Sequence, residues 1–373
     1  MIIAMAQALY RKYRPRKLED VLGQDTNMQI LKNAAKAGRL GQAYIFYGAR
    51  GTGKTTTARL IAKLLNCEKR RNDPKFAALG EPCNECRECL SIDAQNSFDV
   101  IEIDAASNRG IDEIRNLKES IKAAPTSGAY KVYIIDEAHM LTGAAWNALL
   151  KTLEEPPKHV VIIMATTEYE KLPATIVSRA QRFAFKKQAK ATIMEKLATI
   201  AHAEKIKIDD DALELIAAAG EGSFRDAESL LEQMSSFNKA ASLSLADAER
   251  ITGRTGLRRV HELAALMIGK NAKGALVVLS TLNDDGHNLV QFTKDLIHYF
   301  RKVLSLSVNP SLETTFEKDL TKEEVAGVKK LGAGTDTATL VKLIKALIRA
   351  YAEMRYSPFA IVPLEVAIVE NVG

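Results

Sequence analysis

One run constrains the fold of this chain more than any other: Gly48-Ala-Arg50-Gly51-Thr52-Gly53-Lys54-Thr55. It satisfies the phosphate-loop pattern G-x-x-x-x-G-K-[ST] at every fixed position. An apolar, strand-like run (Ala43–Tyr47) leads into it, and a helix-like run (Thr55–Asn66) leads out. Glycines let such a loop wrap a phosphate chain with inward amides, and the helix N-terminus favours the negative charge. Gly48, Arg50, Gly51, Thr52, Gly53, Lys54, Thr55 and Thr56 are therefore the candidate nucleotide contacts. Lys54 suits the β- and γ-phosphates, and the Thr55 hydroxyl suits Mg²⁺. The plainer alternative is a glycine-rich turn ahead of an ordinary helix.

A second motif argues against that alternative. Val132-Tyr-Ile-Ile-Asp136-Glu137-Ala-His139 is an apolar run that ends in two acids. Buried parallel strands read this way, and carboxylates at their C-terminal ends face the ligand crevice. Asp136 suits a Mg²⁺ contact and Glu137 suits polarisation of an attacking water. His139 follows closely, but nearness in sequence is not geometry, so a structural histidine is expected.

The four cysteines, Cys67, Cys83, Cys86 and Cys89, crowd one segment, and the last three read C-x-x-C-x-x-C. Four thiolates form a closed tetrahedral Zn²⁺ site, and short spacings let one turn supply several of them. Structural zinc is the expectation, with no thiol left over. Two disulfides or four unrelated buried thiols are the alternatives, the former disfavoured in a reducing compartment. All four ligands would be used, so the metal would not be catalytic.

Residues 1–185 alternate strand and helix signals, which implies a parallel sheet covered by helices. Candidate strands are Ala43–Tyr47, Asp99–Asp104, Lys131–Asp136 and His159–Thr166; Ile111–Ala123 and Ala144–Leu153 are candidate helices, with Trp146 facing the core. From about Ala189 the strand signals stop. Short helices are expected at Ala191–Lys205, Asp209–Ala219, Ser223–Ser235 and Ser244–Ile251. After the break at Thr252–Gly256, longer amphipathic helices follow at Leu257–Ile268, Leu289–Ser307 and Thr337–Tyr356, each with helical apolar spacing. They carry no evident chemistry, so an interaction role is expected there.

The 373 residues allow two or three domains, and a net charge of +6 permits nucleic-acid contact without requiring it. No apolar run approaches the ~18 residues of a membrane span. Met1–Met5 is too short and uncharged for a secretory signal, so the cytoplasm is the expected compartment.

These motifs together resemble a known family, the γ/τ subunits of the bacterial DNA polymerase III clamp loader, which are AAA+ ATPases. The carriers are Leu9-Tyr-Arg-Lys-Tyr-Arg-Pro15, Asp20-Val-Leu-Gly-Gln24, the phosphate loop and the cysteine cluster. Asp104–Gly110, the Asp136-Glu137 segment, Leu153-Glu-Glu-Pro-Pro157, Ala165–Thr167, Ser178-Arg179 and Gly222–Ala227 complete the set.

The resemblance implies an α/β AAA+ nucleotide-binding domain over residues 1–186, with a zinc module inserted at about 67–90. A small helical lid over 187–252 and an all-α oligomerising collar over 253–373 would follow. It places Arg14, Val21 and Leu22 against the nucleotide base. It gives Thr167 the sensor-1 role of orienting the attacking water and Arg225 the sensor-2 role of touching the γ-phosphate from the lid. Arg179 becomes the finger that acts on a neighbouring subunit's nucleotide. The family usually writes Ser-Arg-Cys there; this chain has Ser178-Arg179-Ala180.

The implied activity is ATP hydrolysis that opens a sliding clamp and loads it onto primed DNA, with catalytic Glu137, Lys54, Arg179, Thr167 and Arg225 and with ATP, Mg²⁺ and Zn²⁺ bound. Implied partners are δ- and δ′-type subunits, further copies of this chain, the clamp, primed DNA and, where the natural chain continues, the polymerase core; no membrane is involved. Two other readings are a AAA+ branch-migration or remodelling motor, which needs no zinc insert, and a zinc-bearing scaffold that does not hydrolyse ATP.

Overall fold

The computed structural model describes residues 7–107, 120–237, 242–253, 256–316, 320 and 322–372. They form two compact units: Met1–Gln188 with Ser223–Arg225, and Ala189–Gly222 with Asp226–Gly373.

The first unit is built on five parallel strands: β1 (Ala43–Gly48), β2 (Val100–Asp104), β3 (Lys131–Asp136), β4 (Val160–Thr166) and β5 (Gln181–Phe185). Their spatial order is β2-β3-β4-β1-β5, so β1 lies inside the sheet: the chain leaves it for the edge at β2, returns through β3 to β4 beside it, and crosses past it to β5. Every residue of β4 and all but the last of β3 are buried. That is why both read as continuous apolar runs: helices cover both faces of a parallel sheet. Alternate residues feed the two layers. Tyr44, Phe46, Ile134 and Ile163 pack with Leu60, Ile61 and Leu64 on one face. Ile45, Tyr133, Ile135 and Met164 pack with Trp146 and Leu149 on the other. Trp146 is a core residue, 4% exposed.

Five helices matter in this unit: α1 (Asp25–Lys36), α2 (Lys54–Asn66), α3 (Arg87–Asp93), α4 (Gly143–Glu154) and the single turn α5 (Ala174–Val177). Helix α4 starts where Thr142 Oγ1 accepts from the Ala145 amide, the N-cap that an orphan first-turn donor needs. It ends at Glu154, next to Glu155-Pro-Pro157. The four expected strands form close to their predicted limits. Strand β5 was not among them: Gln-Arg-Phe-Ala-Phe is short and exposes every residue except Phe183 and Phe185, as a sheet-edge strand can. Most of the expected Ile111–Ala123 helix, residues 111–119, lies outside the described residues, as do 108–110 of the Asp104–Gly110 motif and 254–255 of the Thr252–Gly256 break.

The second unit is helical. Lys190–Ala203, Asp210–Ala219, the rest of Phe224–Phe237 and Leu245–Thr252 come first, with a lone parallel bridge between Ile208 and Leu243. Gly253 then takes a left-handed conformation (φ 62°) that stops the helix. Helices Leu257–Ile268, Ala272–Asp284, Leu289–Val308, Lys322–Ala333, Thr337–Met354 and Ile361–Val372 share one core around Leu263, Leu279, Phe300, Leu347 and Ile368. No described helix is long and apolar enough to cross a membrane.

Candidate nucleotide site and cysteine cluster

Strand β1 ends at Gly48 and α2 begins at Lys54, so residues 49–53 form the loop between them. Gly48 (φ 142°) cannot be replaced: a Cβ there would lie 2.1 Å from the Phe185 carbonyl oxygen on β5. Gly51 (φ 70°) is constrained by its left-handed backbone and by a side chain: its Cβ would lie 1.8 Å from Ser223 Oγ. Thr52 is buried and its hydroxyl donates to the Ala49 carbonyl at 2.8 Å, tightening the turn. Arg50 is exposed at the tip, and Thr56 is half-buried on the first turn of α2.

Lys54 is 6% exposed, and its Nζ donates to the Gly48 and Ala49 carbonyls at 2.9 and 2.8 Å. Burial pulls its pKa down, opposed by the charges of Glu137 and Asp136. A cation in such a place is positioned for a ligand that brings negative charge.

The acids stand where the strand order puts them. Asp136 Oδ2 accepts from Thr55 Oγ1 at 3.0 Å, joining the end of β3 to the start of α2. Its Oδ1 accepts from the Glu137 amide at 3.0 Å. Glu137 turns out of the strand in the left-handed region (φ 48°), uncommon for a residue with a side chain. Its Oε2 accepts from Thr167 Oγ1, just beyond β4, at 3.0 Å. His139 is held by its neighbours: Nδ1 lies 2.9 Å from Thr166 Oγ1 and Nε2 lies 3.1 Å from Glu168 Oε1. Thr55, Asp136, Glu137 and Thr167 thus form one hydrogen-bonded chain across the C-terminal ends of the strands.

The other expected residues fall into three places. Val21 is buried and its Cγ1 would lie 3.6 Å from a Cβ on Gly53, whereas Leu22 is 39% exposed and Arg14 half-buried. Arg225 stacks its guanidinium over the Tyr10 ring, 4.9 Å from the centroid, within cation–π range. Arg179 lies on the outside of the unit, before β5, and its Nη2 donates to Glu154 Oε1 at 2.7 Å. Ala180 packs at the margin of the core that holds Trp146.

Two positions inside the motifs read from the sequence take roles that reading did not assign. Tyr10 supports Arg225. Gln24 is buried and ties the loop to the segment after β5: its Nε2 reaches the Thr52 carbonyl at 3.5 Å and donates to the Lys186 carbonyl at 2.8 Å, and its Oε1 accepts from the Lys186 amide at 3.2 Å. Gln24 and Lys186 are 162 positions apart, and no local pattern signals the pairing.

The cysteines converge. The Sγ atoms of Cys67, Cys83, Cys86 and Cys89 all lie within 4.8 Å of one another, and none is in a disulfide. Cys83 and Cys89 sulfurs are 3.9 Å apart. A tetrahedral site with ~2.3 Å Zn–S bonds sets its sulfurs about 3.8 Å apart. Backbone amides aim at the sulfurs: Cys83 N at Cys67 Sγ (3.4 Å), Cys86 N at Cys83 Sγ (3.3 Å), Cys89 N at Cys86 Sγ (3.5 Å). The Cys67 thiol is drawn down to about 4, chiefly by a hydrogen bond from Cys89 and then by amides of Arg70 and Cys83. Cys89 is pushed up by the same exchange and by burial. The donor set therefore fits a thiolate-binding divalent metal.

The cluster hangs on the phosphate-loop helix. The Cys67 amide closes the last turn of α2 on the Lys63 carbonyl at 2.8 Å. Lys63, 1% exposed, reaches Asn84 Oδ1 at 3.0 Å and Asp93 Oδ1 at 2.5 Å.

The strand order, the loop after an interior strand and the acids beside it define the class: a P-loop nucleotide-binding fold of AAA+ type. The chain matches three family models: "DNA polymerase III, delta subunit" over residues 23–189, "DNA polymerase III clamp loader subunit, ATPase lid domain" over 192–239, and "DNA polymerase III subunits gamma and tau domain III" over 243–372. It is 42% identical to DNA polymerase III subunit tau of Bacillus subtilis, over 98% of this chain and 63% of that protein. It is 31% identical to DNA polymerase III subunit gamma of Buchnera aphidicola from Acyrthosiphon pisum, over 98% and 99%. The chain belongs to the DNA polymerase III γ/τ subunit family. It spans 63% and 60% of the Bacillus and Mycoplasma genitalium relatives. Likeness to solved structures is weaker. The RuvB Holliday junction branch migration motor of Thermotoga maritima gives a TM-score of 0.47 at 18% identity, over 69% of this chain and 79% of that one. The Bacillus subtilis clamp loader delta protein gives 0.40 at 15%, over 92% and 99%.

Proposed function

We propose that this chain is an ATP-hydrolysing subunit of the clamp loader of the replicative DNA polymerase. The carrying observation is the chain Thr55–Asp136–Glu137–Thr167, set against the phosphate loop in a member of the γ/τ family. Thr55 and Asp136 would hold Mg²⁺, which supplies charge neutralisation between the phosphates. Lys54 binds the β- and γ-phosphates, and Val21, Leu22 and Arg14 lie along the base. Glu137 polarises the attacking water, with Thr167 orienting the carboxylate. Arg225 leaves the Tyr10 face to meet the γ-phosphate, and Arg179 meets the nucleotide of the neighbouring subunit.

The proposed domains are 1–186 (nucleotide-binding), 187–252 (lid) and 253–373 (collar). Zn²⁺ in Cys67, Cys83, Cys86 and Cys89 pins the end of the phosphate-loop helix. Proposed partners are δ- and δ′-type subunits, further copies of this chain, the sliding clamp and primed DNA, with the polymerase core joined through a longer natural chain; the compartment is the cytoplasm. ATP fixes the subunits against one another; losing the γ-phosphate releases those contacts and leaves the clamp on DNA, an order–disorder switch. DNA is met through backbone phosphates and shape, so binding weakens with salt.

The test is ATP turnover by the chain alone and in assembly with its partner subunits, with and without clamp plus primed DNA. Turnover should be slow alone and rise with both, and Glu137→Gln should lower it by about 10²-fold or more. Turnover indifferent to the clamp would instead favour a remodelling motor; no turnover under any condition would favour a scaffold.

A further inference from the structure

We infer that Glu154 is a positioning residue for Arg179, fixing the plane of its guanidinium so that it meets a phosphoryl group on a neighbouring copy already oriented. The inference rests on the reading of Arg179 as a finger that acts in trans. Arg179 follows the single turn α5, and three acceptors surround its tip. Nη1 donates to the Thr175 carbonyl at 2.7 Å and to Ser178 Oγ at 3.2 Å. Nη2 donates to Glu154 Oε1 at 2.7 Å. Thr175 and Ser178 belong to the arginine's own turn and hold one nitrogen. Glu154 comes from the last turn of α4 and holds the other. A guanidinium held at both nitrogens has its plane set; held at Nη1 alone, it can still swing about that nitrogen.

The pair is not there for the fold. Its side chains are 35% and 48% exposed, and ion pairs so open to water add little net stability. What it removes is rotamer freedom, which arginine has in abundance. A finger ordered before the neighbour arrives avoids that entropic cost at the moment of catalysis. The contacts use three of the five guanidinium N–H donors, so two stay available for phosphoryl oxygens. The location fits as well. Helix α4 ends at Glu154, where helix carbonyls favour a cation, and Glu155-Pro-Pro157 keeps the helix from extending past it.

The experiment uses Glu154→Ala and Glu154→Gln in the full chain, assembled with its partner subunits, clamp and primed DNA. Stimulated kcat, nucleotide Kd and a thermal melt are measured together. Glu154→Ala should lower kcat about tenfold, a barrier rise near 1.4 kcal/mol, with Kd within about twofold. Glu154→Gln keeps an acceptor oxygen and should retain about half the rate or more. Should the alanine variant fail to fold, Glu154→Lys replaces it and should cut kcat further by like-charge repulsion.

Mixing separates this inference from the reading beneath it. A Lys54→Ala chain has no working pocket but an intact finger. Assembled with Glu154→Ala, it should restore turnover above either variant alone, because the intact finger of the Lys54→Ala chain then meets the intact pocket of the Glu154→Ala chain. Arg179→Ala mixed with Lys54→Ala is the control. No recovery in the control removes the finger reading itself. Recovery in the control without recovery for Glu154→Ala overturns the role of Glu154. So does wild-type or higher turnover in Glu154→Ala, or loss of its nucleotide binding.

Discussion

Thr167 Oγ1 donates to Glu137 Oε2 at 3.0 Å, across two strand ends whose residues lie 30 positions apart. Parallel pairing of β3 with β4 brings them together, and the left-handed turn at Glu137 aims the carboxylate back over the sheet. Removing the hydroxyl in Thr167→Val should lower kcat about tenfold, a barrier rise near 1.4 kcal/mol, with little change in ATP affinity. Steady-state kinetics beside an equilibrium nucleotide titration decide it; a matching fall in affinity would make Thr167 a binding residue.

The thiolate cluster makes a stoichiometric prediction. Purified protein should carry one equivalent of zinc by elemental analysis, and Cys86→Ser should lose it. Structural zinc sites supply about 10–16 kcal/mol of apparent binding energy, so a strong chelator should also lower the melting temperature. A metal-free chain with an unchanged melt would refute the site.

Buried Asp99 predicts an acid-sensitive anchor. Burial pushes its pKa up, but the amides of Gly128, Thr126 and Ser127, the last aided by its hydroxyl, outweigh this and hold it below the ordinary value. A depressed carboxyl stabilises the fold fully above its unfolded pKa, near 3.9, and this is lost as pH falls through the folded value. Asp99→Asn should therefore cost about 1.5–3 kcal/mol at neutral pH. In urea titrations the gap from wild type should close below about pH 4; a gap that persists in acid would trace to packing instead.

Gly51→Ala tests the loop. A methyl there would strike Ser223, and a side chain in the left-handed region costs ~1–2 kcal/mol. Nucleotide affinity should fall at least about tenfold, and adding Ser223→Gly should recover part of it by relieving the contact while the backbone strain remains. Full affinity in the single variant would show that the loop re-forms without this contact.

Much of the site was legible because its chemistry is local. Gly48, Lys54, Thr55, Asp136 and Glu137 lie in two short runs, each with its own strand signal, and the cysteines announce themselves by spacing. Strands β1, β3 and β4 were readable because burial leaves their apolar runs without polar interruption, whereas β2, only partly buried and broken by Glu102, was readable from its β-branched Val100, Ile101 and Ile103. Strand β5 was not, since Gln181, Arg182 and Ala184 stay exposed and leave only Phe183 and Phe185 as a trace. Helix Ile361–Val372 hid for the opposite reason: its valines and isoleucines suit a strand equally well.

The amino-acid order alone determined the phosphate loop, the paired acids, the cysteine spacing and the change from α/β to all-α, because each is carried by neighbours along the chain. Only the tertiary structure decided that Gln24 ties Thr52 of the loop to Lys186, that Tyr10 supports Arg225, and that Glu154 holds Arg179. Such pairings arise from strand order and helix packing, which bring together side chains with no shared local signal.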